Sequence, residues 1–143
     1  MNASKAFLVN NGGGGGGVSG SILGFGCEQL NIAAEQHMRA WNAPTPTGRI
    51  SSVGIKVPRG GTLKRLRVYV GGATSTTGTF RFTVRLNTVP TLLTVDIPAL
   101  GTDGAISVDV AVAEGDLLQL HVEMVVGEGV QAPGDVIASL NFE

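Results

Sequence analysis

The chain has 143 residues, of which only 15% are charged: 10 Lys and Arg against 11 Asp and Glu, a formal net charge of −1, with a mean hydropathy of +0.25. Soluble domains carry about 25% charge, so much of this surface is expected to be covered by copies of the chain or by another protein, while the near-zero net charge provides no global field for nucleic acid or an anionic membrane. A single cysteine, Cys27, excludes an intramolecular disulfide, and no run reaches the ~18 apolar residues of a membrane helix.

In chain order, the start from Met1 to Asn11 is interrupted by asparagines before a secretory apolar core forms, so the mature protein is expected to begin where the gene does. Asn10 and Asn11 lead into six glycines, Gly12 to Gly17. Such a run has a large ordering entropy and no side chains to bury. It reads either as a flexible tether or as an arm whose bare backbone lies along a neighbour. Strands are expected at Val18–Phe25, Glu35–Asn42 and Arg49–Val57, with weaker alternation in the third. Leu30, Ala33, Ala34 and Met38 leave a helix over Leu30–Arg39 as the alternative. Pro44-Thr45-Pro46-Thr47-Gly48 is a stiff break. It divides an N-terminal arm with the first strands (1–47) from a sandwich core (48–143).

From Thr62 to Met124 apolar and polar residues alternate with the period of two that places side chains on opposite faces of a strand. Leu66, Val68 and Val70 share a face against Arg65, Arg67 and Tyr69. Phe80, Phe82, Val84 and Leu86 oppose Arg81, Thr83 and Arg85. The pattern repeats with Leu93, Val95 and Ile97 opposing Leu92, Thr94 and Asp96, with Ile106, Val108, Val110 and Val112, and with Leu118, Leu120, Val122 and Met124. Gly71–Gly78, Gly101–Gly104 and Glu114–Asp116 punctuate the runs as turns. A last strand, with alternation as weak as that of Arg49–Val57, is expected at Asp135–Phe142. About eight or nine short strands at this spacing indicate an all-β antiparallel sandwich or barrel.

No catalytic or cofactor constellation is visible. The glycine run matches G-x-G-x-x-G trivially but lacks the flanking βαβ unit, and no Gly-Lys-Ser/Thr ending makes a phosphate loop. Cys27 in Gly24-Phe25-Gly26-Cys27 reads as a small buried residue rather than a nucleophile. His37 and His121 read as far apart, which leaves no tetrahedral metal site, and His121, alternating with Gln119 and Glu123, reads as a solvated or interface residue. The turn carboxylates resemble no ordered calcium loop. A glycosidase cleft is hard to build with one Trp and one Tyr. If Thr62–Val70 and Thr79–Leu86 lie close in one sheet, Arg65, Arg67, Arg81 and Arg85 form a cationic ridge answered by Asp96 and Asp109. That ridge is a solvated face, a contact with acidic groups of a partner subunit or, with least support, a nucleic-acid surface.

Four segments over roughly residues 48–124 carry a family resemblance: Val57-Pro-Arg-Gly-Gly-Thr-Leu-Lys-Arg-Leu-Arg-Val-Tyr-Val70, Gly78-Thr-Phe-Arg-Phe-Thr-Val-Arg-Leu-Asn87, Thr91-Leu-Leu-Thr-Val-Asp-Ile97 and Val112-Ala-Glu-Gly-Asp-Leu-Leu-Gln-Leu120. In order and spacing they resemble the jelly-roll modules of tailed-bacteriophage structural proteins, namely capsid decoration (cement) proteins and virion fibre heads. One departure is Thr88, where those modules have Gly after the Asn; a two-residue Asn-Gly hairpin is therefore not expected here.

The resemblance implies a jelly roll of about eight strands, a homotrimer, and an N-terminal segment used for attachment. It implies a non-enzymatic virion protein on the capsid surface, without cofactor or metal, whose partners are itself and the major capsid protein or another virion protein. Phe7, Leu8, Val9, Gly12, Gly13, Gly14, Gly15, Gly16 and Gly17 are the candidate arm contacts. Trp41, Arg65, Arg67, Arg81 and Arg85 are the candidate subunit contacts. A fibre head that recognises a host glycan or protein through Gly71–Gly78 and Gly127–Gly134 is the alternative, and a lectin-like or carbohydrate-active module is a further one.

Overall fold

The computed structural model describes residues 9–10, 21–27, 36–38, 54–71, 78–126 and 135–143. Every regular element among them is a strand: β1 (Val9–Asn10), β2 (Ser21–Cys27), β3 (Gln36–Met38), β4 (Ile55–Lys56), β5 (Gly61–Gly71), β6 (Thr79–Leu86), β7 (Val89–Ile97), β8 (Asp103–Val112), β9 (Leu117–Val126) and β10 (Asp135–Phe142). One sheet, called A below, has the order β1-β2-β10-β5-β8. The other, B, has the order β3-β9-β6-β7, with β4 also on β9.

All pairs are antiparallel. They nest outward from the β6–β7 hairpin: β5 with β8, then β3 and β4 with β9, then β2 with β10. A long hairpin folded over on itself in this way is a jelly roll, the double-sheet solution to the edge-strand problem. The all-β sandwich read from the alternation is therefore the fold.

The inward positions of both sheets make one core. Phe25, Leu66, Val68, Phe80, Phe82, Leu93, Ile97, Leu118, Leu120, Leu140 and Phe142 are fully buried within it. Fully burying side chains of this kind contributes about 1.5–3 kcal/mol each, the principal force holding the two sheets together. Strand bounds differ from expectation where pairing, not alternation, decides them. β2 runs to Cys27 because Val136 of β10 pairs with it. The expected strands over residues 35–42 and 49–57 are described only at Gln36–Met38 and Ile55–Lys56.

Bulges set which residues face out. On β5, Leu63 and Leu66 both point into the core, three positions apart, because the register slips at Lys64 against β10 and again against β8. On β7 the register jumps between Thr83 and Arg85 of its partner β6. There Thr91 Oγ1 donates to the Val84 carbonyl at 2.8 Å and accepts from the Leu93 amide at 3.2 Å. Leu92 keeps the outward side that its alternation with Leu93, Val95 and Ile97 gives it, and is 75% exposed.

The β6–β7 connection corrects the reading of Thr88. Leu86 pairs directly with Val89, and Asn87 and Thr88 have φ of 50° and 74°. Two positive φ values in a two-residue loop are what a type I′ turn requires. A β-branched residue thus occupies the left-handed position normally given to glycine, at a cost of about 1–2 kcal/mol. The surrounding hydrogen bonds of Asn87 hold it there.

Candidate interaction surfaces

The motif residues of the family resemblance meet at one end of the sandwich, and they hold structure together there. Asn87 Nδ2 donates to Asp116 Oδ1 at 2.7 Å, and the Leu117 amide donates to Asn87 Oδ1 at 2.8 Å. Asp116 Oδ2 accepts from the Ala113 amide at 2.7 Å. Val57 N donates to the Asp116 carbonyl, and Gly115 N, at φ 85°, donates to the Val57 carbonyl. The clasp ties β4, the β6–β7 hairpin and the β8–β9 turn. The Ala113 amide and then the Asn87 amide hold the Asp116 carboxyl below its ordinary range. Beside it, the Arg59 guanidinium lies 5.4 Å from the centre of the Phe142 ring.

The four arginines do not form one ridge. β5 lies in sheet A and β6 in sheet B, so Arg65 and Arg67 stand on one outer face of the sandwich and Arg81 and Arg85 on the other. The premise that those strands neighbour each other in one sheet fails because the chain crosses between sheets after β5. Arg81 forms a bidentate pair with Asp96, 2.7 Å on each arm, since the two are register partners on β6 and β7. These hydrogen bonds hold the Asp96 carboxyl below its usual value. Asp109 answers Lys64 at 3.5 Å, not an arginine, and Lys64 also reaches Glu143 at 3.4 Å. Hydrogen bonding to Glu143 is the main reason the Lys64 ammonium is held above its ordinary value. Arg67 and Asp103 are 4.0 Å apart.

The outer face of sheet B carries a polar row at its centre. By register, Thr94, Thr83, His121 and His37 follow one another across β7, β6, β9 and β3. Thr94 Oγ1 and Thr83 Oγ1 are 3.2 Å apart. His121 is 2% exposed and its neighbour Gln119 0%, so of the two readings of His121, a solvated or an interface residue, the solvated one fails. His37 and His121, read from sequence as far apart, are opposite each other on neighbouring strands. Alternation reports which face a residue occupies; whether that face is covered is a tertiary property. Among the described residues no group of three His, Cys, Asp or Glu is placed to hold a metal ion.

The outer face of sheet A is open. Tyr69, 52% exposed, pairs with Ile137, 45% exposed, and the same cross-strand row ends in Gly26 on β2 and Asp103 on β8. The next row is Gly24, Ser139, Arg67 and Ala105; the one after is Ile22, Asn141, Arg65 and Ser107. A third surface is the β7 edge of sheet B, where Val89, Pro90 and Leu92 are exposed beside Arg85. The Arg85 Nε is buried without a hydrogen-bond partner among the described residues. Sequence reasoning missed both apolar patches. Tyr69 and Leu92 were both legible as outward, but the pairing of Tyr69 with Ile137 joins strands 68 positions apart in sequence, and the place of β7 at the edge of its sheet is set by the topology.

Of the arm residues, Val9 lies in β1 and pairs with Ile22 at the edge of sheet A. Phe7, Leu8, Gly12 to Gly17 and Trp41 lie outside the described residues.

No protein-family model matches the chain, and no curated protein sequence does. Among solved structures, a family 35 carbohydrate-binding module from Clostridium thermocellum is 14% identical, with 93% of this chain and 86% of that one covered and a TM-score of 0.37. The family 35 module of Cellvibrio japonicus Abf62 is also 14% identical, with 93% and 80% covered and a TM-score of 0.33. The globular domain of the zebrafish complement 1qA protein is 12% identical, with 83% and 94% covered and a TM-score of 0.37. Likenesses at these scores carry no weight for fold or function; the jelly-roll assignment rests on the pairing order.

Proposed function

We propose that this chain is a non-enzymatic structural protein of a virion, decorating the outer surface of a phage capsid and stabilising it. The observation that carries the reading is the apolar lip of β7. Strand alternation on the exposed edge strand β7 turns Leu92 outward, and here it stands with the exposed Val89 and Pro90, next to Arg85, in a chain of unusually low charge. Exposed apolar side chains rimmed by a guanidinium suit a protein–protein contact. The motif resemblance over residues 48–124 supplies the class of partner. The module would bind only the assembled shell and so shift the equilibrium toward it by mass action.

Adding the purified chain to shells of the cognate capsid tests this. Cosedimentation and a raised shell melting temperature are expected, and Val89→Glu/Leu92→Glu should abolish both while the variant stays folded. Absence from the shell, with binding to a host glycan instead, would replace decoration by the fibre-head reading.

A further inference from the structure

We infer that the outer face of sheet A is a self-association surface, on which two copies of the chain pack face to face about a two-fold axis lying along the strands between β10 and β5. This goes beyond the decoration reading and needs no shell. The argument rests on how the rows of that face read in reverse. The axis lays β10 of one copy over β5 of the other and β2 over β8, keeping each row opposite itself. In the first row Tyr69 meets Ile137 of the second copy, and Ile137 meets Tyr69, so one apolar pair becomes a four-residue cluster. Next to it Arg67 faces Ser139, and in the following row Arg65 faces Asn141. Guanidinium groups only donate, while hydroxyl and amide oxygens accept. The bare backbone of Gly26 lies opposite Asp103 and leaves room for its side chain, while Gly24 lies opposite Ala105. On the two central strands apolar meets apolar and donor meets acceptor, which is the self-complementarity that an isologous contact demands; at the rim the third row sets Ile22 opposite Ser107.

Charge points to the same occupant. Lys64, Arg65 and Arg67 are balanced on this side by Asp103, Asp109 and Glu143. Such a face offers little to a polyanion or a uniformly acidic partner, and it fits a copy of itself. Arg65 makes no ion pair among the described residues and keeps its donors for the contact. Four strands at ~4.8 Å spacing and about seven residues at ~3.3 Å give a footprint of roughly 450 Å² per copy. That is below the ~800 Å² per partner of standard interfaces, so the dimer should be weak and concentration-dependent. The homotrimer that the family resemblance implies would need a head-to-tail contact, which this palindromic face does not favour.

Sedimentation equilibrium of the full chain from about 1 µM to 1 mM tests the proposal. Mass should rise from 14.6 kDa toward twice that value. Tyr69→Asp/Ile137→Asp should weaken association at least tenfold, and Arg65→Glu/Arg67→Glu a few-fold. Leu92→Glu, on the other sheet, should change nothing. All these side chains are exposed, and circular dichroism checks that each variant is folded. As a readout independent of substitution, amide chemical-shift changes on dilution of the wild type should cluster on β5 and β10. A monomer at every concentration, or a trimer indifferent to these variants, overturns the proposal.

Discussion

The two outer faces of this sandwich alternate alike in sequence and differ in the folded chain. On sheet A the outward residues Arg65, Arg67, Tyr69, Ile137 and Asn141 are exposed. On sheet B the outward residues Thr83, Gln119 and His121 are buried. Both sets alternate with core residues at period two, so the strand pattern alone does not distinguish them. The difference shows that a polar stripe in a strand marks the side away from the inter-sheet core and nothing more. At its centre sheet B spends polar residues within the monomer, while Arg81 and Asp96 on the same face stay partly exposed, and sheet A leaves Arg65, Tyr69, Ile137 and Asn141 available to a second molecule.

The strongest test of that contrast is a matched pair of amide truncations. Gln119→Ala removes a fully buried side chain and disrupts its polar surroundings, at an expected loss of about 2–3 kcal/mol. Asn141→Ala removes a similar amide from the exposed face and should lie within about 0.5 kcal/mol of the parent. Urea unfolding of dilute protein measures both. Equal losses would mean that the faces are not differently covered in solution.

This contrast also defines how far the sequence could be read. The alternation from Thr62 to Met124, with its glycine and asparagine turns, was sufficient for an all-β sandwich, because core positions such as Phe80, Phe82, Leu118 and Leu120 recur at period two whatever their neighbours are. Which strands share a sheet was not legible. The grouping of four arginines failed on that point, since sequence neighbours β5 and β6 lie in opposite layers. His37 and His121 were misread for the complementary reason: 84 residues separate partners that the nested pairing brings together. Lys64 depends on a bulge, whose register emerges only when both strands are in place. Asn87, Gly115 and Asp116 were recognised as a motif, yet their hydrogen-bonded clasp was not foreseen.

A smaller effect probes the hairpin that ends in sheet B's open lip. Thr88 sits at φ 74° although its side chain is β-branched. Thr88→Gly should relieve about 1–2 kcal/mol of backbone strain while adding less than about 1 kcal/mol of unfolded-state entropy. A net stabilisation of about 0.5–1 kcal/mol is expected in urea unfolding. Destabilisation would show that the Thr88 side chain makes contacts worth more than the strain. Shell binding should be unaffected, since Val89 and Leu92 keep their places.

The smallest expected effect contrasts one ion pair from each face. Arg81 and Asp96 on sheet B meet through two bonds of 2.7 Å, whereas Arg67 and Asp103 on sheet A stand 4.0 Å apart. Both pairs are partly solvated, so neither is worth more than about 1 kcal/mol. Asp96→Asn should cost on the order of 0.5–1 kcal/mol at pH 7, and Asp103→Asn nothing measurable. The pH dependence identifies the origin. Because the folded carboxyl of Asp96 titrates below its unfolded value of about 3.9, its contribution is complete above that value. It is lost as pH falls through the folded pKa, when the folded state must also take up the proton. The stability gap between the parent and Asp96→Asn should therefore be constant from pH 7 to about 5 and shrink below about 4. A gap that persists at pH 2 would assign the loss to packing rather than charge. A gap of equal size for Asp103→Asn would mean that the looser pair closes in solution, and that sheet A's charges are less available to a second copy than their separation indicates.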